Sequence, residues 1–239
     1  MVPIVEKKFS GRVVYAGGDD VLAFLPLGTA LPCASCLKTA YKEEAEHTGL
    51  NLTVSAAILY AHGKSPLQAV LTSVHNPLDD VVKEAAGRDA VALRVEKRSG
   101  PPLQMAKPWT SRGHDWAEKI SHLATRIFPQ EESSYSSRFL YKVAKLLTPL
   151  GEEMRWDSFD PRGENIVPLL TAEYLRNREL SWPSHYSKEE IEADVQEKML
   201  GLYNLLVWER RENGEIKTGG LQPEILPLLR FLASKGVER

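Results

Sequence analysis

Apolar and polar positions alternate along the first part of the chain with two different periods. "RVVYA" (12–16) and "VLAFLPL" (21–27) are β-branched and apolar runs separated by Gly17, Gly18, Asp19 and Asp20. Two such runs around a glycine- and aspartate-containing turn predict a β-hairpin. Pro32 then opens a helix, a favoured place for proline, with Leu37, Ala40, Tyr41 and Ala45 at helical spacing and Gly49 as its stop. "NLTVSAAILYA" carries no charge and reads as a buried central strand. Leu67, Val70, Leu71, Val74, Leu78, Val81, Val82 and Ala85 return to the 3.6-residue period, with Pro77 dividing the helix and Gly87 ending it. "DAVALRVEKRSG" alternates again, placing Val91, Leu93 and Val95 on one face of a strand. The order β-β-α-β-α-β predicts an α+β sheet with helices on one face.

The pattern changes near residue 100. "KRSGPPLQMAKP" reads as a linker, because Gly100, Pro101 and Pro102 stand together. Beyond it the periodicity is helical, with candidate helices at 114–128, 133–148, 165–178, 187–210 and 222–235. Ser187 and Glu190 form a capping-box pair at the start of the fourth, and Ile191, Val195, Met199, Leu202, Leu205 and Leu206 mark its buried face. The predicted organisation is a sheet domain over 1–99, a linker over 100–113 and an all-α helical bundle over 114–239.

Composition narrows the class. The 239 residues are 43% hydrophobic and 26% charged, with a formal net charge of -2. This is the balance of a packed globular chain with no global drive toward nucleic acid or a membrane surface. No apolar run approaches the roughly 20 residues that span a bilayer, and "MVPIVEKKF" lacks the pattern of a signal peptide. A cytoplasmic location is the expectation. Cys33 and Cys36 form a lone C-x-x-C near a helix start; a structural zinc site needs about four ligands, so the pair reads best as two small helix residues.

The hairpin turn carries the strongest chemical signal. Adjacent carboxylates repel, and one is pushed toward protonation unless a cation resolves the conflict. Mg²⁺ suits such a site, taking one or two carboxylates together with waters and substrate phosphate oxygens. Glycines before the aspartates leave room for a phosphate or base to approach the backbone. Asp19 and Asp20 are therefore candidate ligands for metal-assisted phosphoryl or nucleotidyl transfer. The competing reading is a solvent-exposed turn in which Asp and Gly only satisfy turn geometry.

"VVYAGGDDVLAFLPL" resembles the second palm domain of the large subunit of type III CRISPR effector complexes, particularly the Cmr-type. That palm is a relative of nucleotide cyclases and GGDEF diguanylate cyclases. "VSAAILYAHGKSPLQAVL" resembles the family's strand followed by His-x-Lys-x-Pro-Leu, here His62, Lys64, Pro66 and Leu67. "VVKEAAGRDAVAL" resembles its Lys…Gly-Arg-Asn/Asp-Ala-Val-Ala segment. These motifs cover roughly residues 2–97 in the family's order, and the helical half resembles the family's C-terminal helical domain in layout.

The resemblance implies a partial ferredoxin-like, nucleotide-cyclase palm with a GGDD hairpin. Asp19 and Asp20 become the catalytic, metal-binding carboxylates for Mg²⁺ or Mn²⁺, with ATP as substrate. Gly17 and Gly18 become the turn that admits ATP, and Lys64 and Lys83 become triphosphate contacts. Arg88 reads instead as a turn residue packing across a helix end, and His62 as a strand-end histidine. The implied reaction joins ATP into cyclic oligoadenylate by in-line attack of a 3′-hydroxyl on an α-phosphate, pyrophosphate leaving, in RNA-guided antiviral defence. Implied partners are other effector subunits, guide RNA and target RNA; no membrane is implied. The family also has a strand and helices ahead of the hairpin, that strand bearing a further acidic ligand, and an HD domain and first palm before them. Without these the chain reads as a C-terminal part of the large subunit, completed by a separate N-terminal HD/palm polypeptide or by self-association. The alternative is a catalytically inactive scaffold holding effector subunits and guide–target RNA. A diguanylate cyclase is disfavoured, because Asp20 and Val21 stand where Glu-Phe is usual.

Overall fold

The hydrophobic periods translate into small separate sheets and a set of helices in a computed structural model that describes residues 1–18, 20–78, 82, 86–125, 135–153, 162–177 and 187–236. The N-terminal residues make one wide helical turn, Ile4–Lys8, with Val5 buried. Strands β1 (Arg12–Gly17) and β2 (Asp20–Phe24) follow as an antiparallel hairpin, from Arg12 opposite Phe24 to Gly17 opposite Asp20. The register slips between Val13 and Tyr15, so Val14 is the extra residue of a β-bulge and the alternation of faces is broken there. Helix α1 (Ala30–His47) buries Ala30, Leu31, Cys33 and Ala45. Strand β3 (Ala56–Tyr60) and helix α2 (Leu67–Asn76) come next, and Pro77 stands at the C-cap of α2, as the sequence predicts for a dividing proline.

Strand β4 (Ala90–Val95) is parallel to β3 and antiparallel to β5 (Leu103–Pro108), giving the order β3-β4-β5. The central strand is thus β4, buried along almost its whole length, and not β3, whose first four residues are only half-buried. The uncharged run around β3 looks central in sequence, but β3 pairs along one edge alone among the described residues. The three-stranded sheet and the β1–β2 hairpin are separate ladders. The expected single α+β sheet is therefore not seen among the described residues, where the hairpin and the three-stranded sheet stand apart.

The predicted linker over 100–113 is a second difference. Leu103–Pro108 runs the full length of β4, from Leu103 opposite Val95 to Pro108 opposite Ala90. Two short strands, β6 (Thr110–Ser111) and β7 (His114–Asp115), then pair and lead into α3 (Trp116–Thr125). Burial explains why this stretch is ordered: Met105, Ala106, Lys107, Trp109 and Trp116 are all within the core. The Trp109 indole N–H donates to the Val54 carbonyl at 2.7 Å. Lys107, fully buried, lies 4.6 Å from the Trp116 ring centre, a cation–π contact.

The chain separates into two compact units, Met1–His122 with Ser234–Arg239, and Leu123–Ala233. In the second unit α4 (Ser137–Glu153) and α5 (Ile166–Asn177) meet through Tyr135, Phe139 and Tyr174, with the Phe139 and Tyr174 rings edge-to-face at 5.4 Å. Helix α6 (Lys188–Leu206) begins with the predicted capping box: Ser187 Oγ accepts from Glu190 N–H, and Glu190 accepts from Ser187 N–H. The periodicity predicts that helix to continue to 210, but it stops at Leu206. Strands β8 (Val207–Glu212) and β9 (Glu215–Leu221) form a hairpin instead, followed by α7 (Ile225–Phe231). The second unit is therefore mainly but not wholly helical. Residues 126–134, 154–161 and 178–186 lie outside the described set, including parts of the predicted helices there.

Close packing at the hairpin base gives one test. A Cβ at Gly11 would lie 2.8 Å from Leu25 Cδ2, 2.8 Å from the Phe24 carbonyl oxygen and 2.9 Å from Val5 Cγ1. Backbone cannot swing aside, so Gly11→Ala is expected to lose about 1–3 kcal/mol in chemical denaturation. A second test uses the α6 cap. The hydrogen bond from Ser187 N–H holds the Glu190 carboxyl below its ordinary range. Its contribution is full above the unfolded carboxylate range and fades as pH falls through the depressed folded value. Glu190→Gln should flatten the acid limb of the stability-versus-pH profile; an unchanged profile would contradict the cap.

Candidate functional site

The turn between β1 and β2 is the tightest the chain can make. Because Gly17 pairs with Asp20, only Gly18 and Asp19 connect the strands. Gly18 has φ 61°, the left-handed region that a two-residue hairpin turn requires and glycine adopts without strain. No atom lies within 4 Å of where its Cβ would be, so the turn is open to approach. A Cβ at Gly17 would meet the Tyr15 hydroxyl at 2.7 Å, because the exposed Tyr15 ring folds along the strand past it.

Asp20 opens β2 with its side chain exposed, and no basic side chain pairs with it among the described residues. Asp19 and Lys83 lie outside the described residues. The Asp20 carboxylate is a hard oxygen donor, and among the described residues no cation neutralises it. That donor type fits Mg²⁺ or Mn²⁺ when a second carboxylate and phosphate oxygens complete the shell. Among the described residues, no group of three or more His, Cys, Asp or Glu side chains converges as a ready cage.

The hairpin is held from its base rather than its tip. Gly11 N–H donates to the Val5 carbonyl at 2.8 Å, and Val13 N–H reaches Glu6 Oε1 at 3.3 Å. Thr29, ahead of α1, donates its hydroxyl to the Phe9 and Pro26 carbonyls. Cys33 is buried in the first turns of α1, and burial pushes its thiol up. Cys36 lies 3.3 Å from Lys8 Nζ. The pair packs α1 beside the N-terminal turn, in keeping with its reading as helix residues.

Lys64 stands in the exposed loop between β3 and α2. No interaction among the described residues brings it to Asp20 or Gly18. Its backbone N–H donates to His62 Nδ1 at 3.1 Å. Arg88, exposed and with φ 66°, donates its backbone N–H to the Val82 carbonyl, in keeping with a turn role. Arg98 was not evident from the motifs, although it sits in the basic run "EKRS" after β4; its Nη2 lies 2.9 Å from His62 Nε2. Among the described residues, no helix is long and apolar enough to cross a membrane.

Known proteins resemble this chain in sequence. A family model for the Cas10/Cmr2 second palm domain matches residues 1–92, from the N-terminal turn into the first half of β4. The chain is also 38% identical over 217 residues to the CRISPR system Cmr subunit Cmr2 of Pyrococcus furiosus. That similarity covers 88% of this chain, both compact units included, and 22% of the length of the relative.

The turn yields a direct expectation. Since the space around Gly18 is empty, the cost of a side chain there is backbone strain alone. Gly18→Val should lose about 1–2 kcal/mol in denaturant unfolding, and Gly18→Asn distinctly less, because Asn tolerates the left-handed region. Equal losses would show that the turn has another conformation.

Proposed function

We propose, from the premise that residues 1–92 belong to the Cas10/Cmr2 second palm domain family, that the β1–β2 hairpin is a metal–ATP binding element of a type III CRISPR effector large subunit. The observation that carries this reading is the exposed Asp20 carboxylate, with no basic partner among the described residues, beside the open turn at Gly18. An acidic turn serving only its own geometry needs neither an open approach nor a second adjacent carboxylate.

Asp19 and Asp20 would hold Mg²⁺ or Mn²⁺, which supplies charge neutralisation at the phosphates of a bound nucleotide. The tight turn keeps Asp20 at one end of the ladder beside Gly18, so this ligand is positioned before the nucleotide arrives. Gly17 and Gly18 leave the backbone approachable, and Lys64 and Lys83 add positive charge for the triphosphate. The product is cyclic oligoadenylate, made in a complete palm of the effector. Other effector subunits and guide and target RNA are the partners, reached through the mixed-charge helical unit.

Isothermal titration of the full chain with ATP in the presence of Mn²⁺ tests the reading. Asp19→Ala/Asp20→Ala should weaken ATP at least about tenfold, or about 1.4 kcal/mol, with the fold retained. Unchanged affinity sinks the proposal. Metal-dependent binding without oligoadenylate from the assembled effector would instead assign the chain to the scaffold reading.

A further inference from the structure

The parallel pairing of β3 and β4 brings two donors together at one end of the sheet. Tyr60 lies opposite Val95 at the carboxyl ends of these strands, and Glu96 N–H extends the ladder to the Tyr60 carbonyl at 2.9 Å. His62 and Arg98 leave from this same end. The loop after β3 closes tightly, with Ser65 N–H donating to the His62 carbonyl at 2.8 Å and Lys64 N–H donating to His62 Nδ1 at 3.1 Å.

That second bond uses the single lone pair of a neutral imidazole, so Nε2 carries the proton. Yet Arg98 Nη2 stands 2.9 Å from Nε2, and a guanidinium only donates. Two N–H groups therefore face each other with no acceptor between them. The other tautomer moves the conflict to Nδ1 and the Lys64 N–H without removing it. An oxyanion resolves it, by accepting from the imidazole N–H and the guanidinium together.

The neighbouring charges point the same way. Glu96, the nearest acid in sequence, is engaged by Arg94 at 2.8 Å, and Arg94 also donates to Gln104. His62 and Arg98 are exposed, and Lys64 and Lys97 form no ion pair among the described residues. This basic patch stands on a chain whose formal net charge is -2, so it is local rather than a general property.

We propose that His62 and Arg98, flanked by Lys64, form a phosphate-binding site, the phosphate being carried by a nucleotide or by an RNA strand. One phosphate oxygen accepts from His62 Nε2–H and from the Arg98 guanidinium, a charge-assisted pair that also fixes the imidazole tautomer. The site needs neither metal nor the hairpin aspartates and shares only Lys64 with the metal–ATP reading, so His62 and Arg98 are tested apart from it.

Imidazole ¹H–¹⁵N spectra of the full chain test it, with His62 assigned among the 6 histidines by its loss in His62→Asn. Inorganic pyrophosphate, added with a metal chelator present, should move the His62 resonances saturably. Arg98→Gln should weaken this at least about tenfold, while Asp20→Ala leaves it unchanged. Parallel titrations with ATP and with a short single-stranded oligoribonucleotide then identify the natural carrier as whichever saturates at lower concentration. Unmoved His62 signals would overturn the proposal. So would an unchanged response in Arg98→Gln with its amide spectrum intact.

Discussion

The geometry at the hairpin tip depends on how closely its base sits on the turn before it. Gly11 lies within van der Waals reach of Val5, Leu25 and the Phe24 carbonyl, so no side chain fits at that position. Its N–H is bonded to Val5, and the next strand residues pair immediately with Phe24 and Ala23. A ladder started at a fixed point, with one bulge at Val14, can end in only one register. That register pairs Gly17 with Asp20 and leaves a two-residue turn. A slip by one residue would turn the strand faces over and move the carboxylates off the tip. The function proposed for Asp19 and Asp20 is thus set by packing at the opposite end of the strands.

The second sheet works by a related logic with a different outcome. Parallel strands deliver their following loops to the same end, so β3 and β4 send His62 and Arg98 to one place although 36 positions separate them. The buried face of β4 and the anchoring of Trp109 on Val54 keep that sheet rigid, while its carboxyl end stays exposed. The palm match ends within β4, and the similarity to the relative from Pyrococcus furiosus covers 88% of this chain.

Much of this was legible in the sequence because local signals and tertiary contacts agreed. The hairpin, α1, β3, α2 and β4 all stand where glycine, proline and the change of hydrophobic period put them. The position of β5 was hidden by Pro101, Pro102 and Pro108, which read as linker residues; an edge strand tolerates proline because one side needs no ladder hydrogen bond. The β8–β9 hairpin was hidden by the leucine-rich helix running straight into it. A signal existed: Asn213 and Gly214 both have positive φ, the combination that makes Asn-Gly the strongest short hairpin turn. The centrality of β4 rather than β3 was not legible, since both strands are uncharged over most of their length and pairing partners are not a local property. At the candidate site, Asp20 and the glycines were found from the motif. Arg98 was not, because its importance lies in a contact across the sheet.

The account rests on the claim that the hairpin turn is where a divalent cation and nucleotide meet. Paramagnetic broadening reads that directly. With ATP present, substoichiometric Mn²⁺ should broaden the amide signals of Gly17, Gly18 and Asp20 before those of any other part of the chain. Broadening centred elsewhere, or spread evenly over the acidic surface, would contradict it.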